Sequence, residues 1–158
     1  MAAPSNEPGP LARNQSGRLS PATEDVILLV GRVALGAIFV KSGLQKLLAL
    51  GAFAAVLSSR GLPAAAILAG IGAAVEFVGG VLIVTGFRTR CASLLMILFV
   101  IVATAISHRF WEFAEPARRL QESQFFKNLS IIGGFILLFS TGSGRYSVDR
   151  WWRRGKRG

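Results

Sequence analysis

A chain of 158 residues that is 52% hydrophobic and only 16% charged, with mean hydropathy +0.52, is too apolar for an ordinary soluble domain and reads as a membrane protein. One Cys, one His and no paired carboxylates exclude a self-contained disulfide framework, zinc site, bis-His haem or iron–sulfur cluster. The formal charge of +10 would suggest nucleic acid on a soluble chain, but its placement beside apolar segments points to lipid instead.

Residues Met1 to Glu24 are rich in Pro, Ser, Gly, Asn and Ala and are expected to form a disordered tail. They do not read as a secretory signal, since the apolar run that follows is too long and lacks a cleavage site. Four apolar segments come next, at about 26–48, 64–87, 91–107 and 125–141, each near the roughly 20 residues that cross about 30 Å of hydrocarbon. Lipid forces the backbone to satisfy its own hydrogen bonds, and the alternation of barrel strands is missing. The expected fold class is therefore all-α, a four-helix integral membrane bundle over residues 25–144.

Charge in the connections sets the expected orientation. The tight turn Arg88-Thr89-Arg90 joins spans two and three, and it shares a side with Arg13, Arg18 and the six basic residues between Arg145 and Arg157. The opposite loops carry only Arg60, Arg109, Arg118 and Arg119, so both termini are expected in the cytoplasm. In the tail, residues 145–158, Trp151 and Trp152 with Arg153 and Arg154 are expected to anchor at anionic headgroups. Nucleic-acid binding is not expected, because fourteen residues supply no folded basic domain.

Two side chains stand out inside the spans. Glu76 lies near the centre of span two, where an ionised carboxylate costs at least about 2.5 kcal/mol. It shares a stripe of small residues with Ala69, Gly72, Ala73, Gly79 and Gly80. In span one, Arg32, Gly36, Phe39, Gly43 and Lys46 recur at alternating spacings of four and three, the seam of a left-handed helix pair. Counting from the helix ends brings Arg32 within reach of Glu76, so an Arg32–Glu76 ion pair is expected inside the bundle. That pair either fixes helix register or marks a proton-accepting or ligand-contacting carboxylate; a protonated, unpaired Glu76 is the third option. Lys41 falls on the opposite face, to snorkel or to meet another chain.

Lys46, His108, Lys127 and Asn128 end or open their spans at one surface. Such a cluster is either solvated or able to bind an anion or a quinone carbonyl. Gly133 and Gly134, in a segment that repeats the Gly-pair and Thr-Gly pattern of Gly79 and Gly80, read as packing positions. Cys91 reads as a small buried or interfacial side chain, with no second Cys to pair it. No metal ligand set is visible.

The ordered set GRVALGAIFVKSGLQKL, AAVEFVGGVLIVTGFRTR, HRFW and FFKNLSIIGG resembles the DoxX family of small four-helix bacterial membrane proteins, over about residues 26–149. The resemblance implicates Arg32, Gly43 and Lys46; Glu76, Gly79 and Gly80; Trp111; and Lys127, Asn128 and Gly134. Lys41 and the basic Trp-rich tail depart from the family pattern. The resemblance implies an accessory or anchor subunit of a sulfur, quinone or oxidative-stress redox system in the bacterial cytoplasmic membrane. No cofactor is expected to be intrinsic: the implied ones are a quinone, or a flavin, haem or metal carried by a membrane or peripheral redox partner. The competing readings are a small homo-oligomeric transporter or channel for an anion or proton, and an assembly factor.

Overall fold

The computed structural model describes residues 19–155, and among them all regular structure is helical. Helix α1 spans Pro21–Leu48, α2 Leu50–Ser59, α3 Ala65–Thr85, α4 Thr89–Ser107, α5 Ala117–Thr141 and α6 Val148–Gly155, with a 3-10 turn at Phe110–Glu112. Helices α1, α3, α4 with the turn that follows it, and α5 are long and apolar enough to cross a membrane. They bear on lipid with Val30, Ile67, Leu98, Val102 and Leu137, all more than half exposed, a surface no aqueous protein sustains.

Three boundaries differ from the sequence expectation. Helix α1 starts at Pro21, within the segment expected as a disordered tail, because Ser20 accepts a hydrogen bond from Thr23 N (3.2 Å) and Pro21 occupies the first turn. Residues 1–18 and 156–158 of the two expected tails lie outside the described residues. The connection between the first two spans holds a further helix, α2, whose ten residues reach only about 15 Å and so cannot cross. It packs against α3, with Leu57 buried, and Arg60 beyond it donates to Ile106 O (3.1 Å) at the end of α4. Helix α5 begins at Ala117, eight residues before the expected span.

The pairing of α1 with α3 sets the interior. A Cβ on Gly43 would lie 2.5 Å from Phe77 N, and one on Gly80 would lie 2.7 Å from Val40 N, so the two backbones touch. Around this seam Phe39, Ile83, Met96, Val100, Phe135 and Leu138 form the core, with the Phe39 and Phe135 rings 5.5 Å apart. Gly79 faces Met96 of α4 and Gly134 faces Leu35 of α1, whereas Gly133 meets nothing and Gly72 only approaches Phe53. Gly133 is therefore not a packing position; one residue from Gly134, it is turned about 100° away from the helix contact.

Candidate functional site

The expected Arg32–Glu76 pair does not form. Gly43 packing on Phe77 brings Lys46, one turn further along α1, beside Glu76, and Lys46 Nζ lies 2.5 Å from Glu76 Oε2. The same antiparallel register puts Arg32 against Gly86, at the C-terminal end of α3, about 15 Å of helix away from Glu76. Equating span ends misplaces the two helices by about two turns, because the length between them is occupied by α2 and the Gly-lined contact sets the slide.

The Lys46–Glu76 pair is unequal in burial, with side chains 33% and 5% exposed. Glu76 is the enclosed member, while Lys46 reaches the rim and lies over the Phe53 ring, 5.1 Å from its centroid. A cavity of about 180 Å³ opens beside the pair, between α1, α3, α4 and α5. His108, Lys127 and Asn128 line it together with Lys46 and Glu76, and Phe39 and Phe99 supply apolar wall. The four side chains expected at one surface are thus brought to one cavity, Lys46 and His108 from helix ends and Lys127 and Asn128 from within α5, and Glu76 joins them.

Hydrogen bonds position this lining. Asn128 Nδ2 donates to Thr104 Oγ1 (2.8 Å), which donates in turn to Val100 O (2.6 Å). His108 Nδ1 lies 2.8 Å from Gln121 Oε1, and Lys127 Nζ donates to Gln124 Oε1. Thr104, Gln121 and Ser42 escape sequence reading. Thr104 is legible only as the residue one turn before His108, and Gln121 sits in a polar stretch with no periodic cue. Among the described residues no three His, Cys, Asp or Glu side chains gather as a metal site.

Arg32, only 1% exposed, occupies a different socket. Its guanidinium donates to Ser143 O, to Tyr146 O (2.6 Å) and to Val84 O (3.5 Å), while Nε has no acceptor. Gly86 makes room for it: φ is +69°, and a Cβ there would sit 2.6 Å from Arg32 Nη1. Asp149 of α6 accepts from Arg88 N (2.8 Å) and Thr89 N (3.1 Å), capping α4 from another segment. Arg88 holds φ +46° at that cap. Trp152 meets the Phe87 ring at 6.5 Å, Trp151 is exposed, and Arg153 and Arg154 lie on the same short helix. Lys41 is exposed on the face of α1 away from the seam, and Cys91 is exposed rather than buried.

The family model for DoxX matches residues 27–109, more than half of the chain, with α3, α4 and all but the first residues of α1. The chain belongs to the DoxX family. It is 34% identical to inner membrane protein YphA of Escherichia coli over 82% of its own length and 92% of that protein, and 35% identical to inner membrane protein YqjF of the same organism over 80% and 92%. A further relative, an uncharacterized membrane protein of Mycobacterium tuberculosis, is 29% identical over 75% of this chain and 77% of its own. No solved structure matches. The DoxX match includes Arg32, Lys46, Glu76 and His108 and ends before Lys127 and Asn128, so the cavity joins α5 to the matched helices.

Proposed function

We propose that this DoxX protein is an accessory subunit of a redox system in the bacterial cytoplasmic membrane, and that its cavity holds a quinone ring or a small sulfur or oxygen anion for a partner that carries flavin, haem or metal. The observation that carries the reading is the Lys46–Glu76 pair at the mouth of a cavity also lined by His108, Lys127 and Asn128. Two ammonium groups and an amide donate to carbonyl or anionic oxygen, Glu76 accepts, and the walls of Phe39 and Phe99 suit an apolar ring. About 180 Å³ accommodates one ring or a small oxyanion, with any isoprenoid chain left in lipid.

The relatives named as inner membrane proteins support the location. The basic connections and tail support an orientation with both termini in the cytoplasm, which turns the cavity to the outer side. A one-ended site suits binding better than transport by a single copy, because below Glu76 the seam closes where Gly36 and Gly80 bring α1 and α3 into backbone contact.

The test is affinity purification of the tagged chain from native membranes in mild detergent, with mass spectrometry of partners and quinone extraction. Recovery of a cofactor protein together with a quinone or sulfur anion that Glu76→Gln abolishes is the expected result. A homo-oligomer without chromophore or ligand, active in liposome flux, overturns the reading.

A further inference from the structure

A second and larger concavity, of about 940 Å³, lies at the other end of the bundle, where the start of α4 and the end of α5 meet α6. Six arginines line it, Arg88, Arg90, Arg145, Arg150, Arg153 and Arg154, against two carboxylates, Asp25 and Asp149. Both carboxylates are spent on backbone. Asp25 Oδ1 accepts from Arg145 N (2.7 Å), and Asp149 caps α4 through Arg88 N and Thr89 N, with Thr89 Oγ1 3.3 Å away. The ion pairs among the described residues are Lys46–Glu76, Arg109–Glu112 and Arg119–Glu115, so none of the six guanidiniums is ion-paired with a carboxylate of the described residues.

This arrangement is costly unless something neutralises it. Six like charges repel around one concavity, and the acidic residues are fixed by hydrogen bonds that hold the fold rather than answer the arginines. The walls are also held in place: Asp149 N donates to Gly86 O (3.1 Å), which ties α6 to the turn between α3 and α4. Exposed Trp151, and Trp152 against Phe87, place indole rings on the same helix at the level where headgroups lie.

We propose that this concavity is a binding site for two closely spaced phosphate groups, clasped between Arg88 and Arg90 on one wall and Arg150, Arg153 and Arg154 on the other. Guanidinium forks bind phosphate oxygens two at a time, and the volume exceeds what one phosphate fills. The chemistry is that of a lipid headgroup carrying two phosphates or of a soluble diphosphate. The site is independent of the Glu76 cavity, and it goes beyond general attraction of a basic tail to an anionic surface, because it draws on Arg88 and Arg90 from the α3–α4 turn.

The full chain in mild detergent, measured by native mass spectrometry, separates these sources with cardiolipin and inorganic pyrophosphate as probes and single-phosphate phosphatidylglycerol as reference. Cardiolipin retained at one per chain in preference to phosphatidylglycerol supports the site with a lipid source. Pyrophosphate that binds lipid-free protein and displaces cardiolipin supports it with a soluble source. Arg150→Gln/Arg154→Gln removes two exposed cations whose side chains make no hydrogen bond among the described residues, and should weaken the preferred probe about 30-fold. Arg118→Gln/Arg119→Gln removes the same charge from the opposite end and should leave binding unchanged. Equal loss in both variants, no loss in the first, or equal retention of one- and two-phosphate lipids overturns the proposal.

Discussion

Arg32 and Glu76 are both almost inaccessible, at 1% and 4% exposure, yet the bundle satisfies them by different means. Arg32 is held by backbone carbonyls of Val84 in α3 and of Ser143 and Tyr146 between α5 and α6, two stretches of chain that it pins to α1. Glu76 is held by one lysine whose other side borders a cavity and an aromatic ring. These carbonyls belong to the backbone of the end of α3 and of the connection between α5 and α6, so the arginine socket is a structural lock. A lysine at the rim of a cavity can release its carboxylate to a competing ligand, so the acidic centre suits binding.

The largest expected effect tests the lock. Arg32→Met leaves three carbonyls without their donor and should destabilise the purified protein by about 3–5 kcal/mol, read as a large fall in Tm in detergent. Arg32→Lys should rescue little, since one ammonium cannot reproduce the planar fork. At the acidic centre, Lys46→Met strands a buried carboxylate and should cost about 3 kcal/mol, whereas Lys46→Met/Glu76→Gln should recover most of that loss. If the double variant is no more stable than Lys46→Met, the pair is not what Lys46 contributes.

Smaller effects sharpen the contrast. Gly86→Ala forces a side chain into a left-handed position already crowded by Arg32 and Ser147, and should cost about 2 kcal/mol in the same melt. Its effect should shrink in the Arg32→Met background, where the crowding guanidinium is gone. Gly133→Ala enters open space and should be neutral or stabilising by up to about 1 kcal/mol, while Gly134→Ala pushes on Leu35 and should destabilise.

Much of this was legible in residue order. Glu76 and Arg32 announce themselves as charges in apolar runs, and the four-and-three spacing of Arg32, Gly36, Phe39, Gly43 and Lys46 marks the buried seam. Lys46 and His108 share an end because the termini of α1 and α4 must, whereas Lys127 and Asn128, read as opening a span, join them from within α5, which starts at Ala117. Other partners were hidden because they are tertiary. The carbonyls of Ser143 and Tyr146 have no side-chain signature, Asp149 caps a helix that starts sixty residues earlier, and the equivalent-looking glycine pairs of α3 and α5 differ in that Gly133 faces nothing.

Composition and periodicity alone determined an all-helical membrane bundle with four spans, since hydrocarbon leaves the backbone no other way to satisfy its hydrogen bonds. The order of its motifs determined the DoxX family. Only the tertiary structure decided which charge meets which. Spacing within a helix defines a face but not how far that face slides along its neighbour, and here the close approach at Gly36, Gly43 and Gly80 set the slide, giving Glu76 to Lys46 and Arg32 to carbonyls at the end of α3 and between α5 and α6.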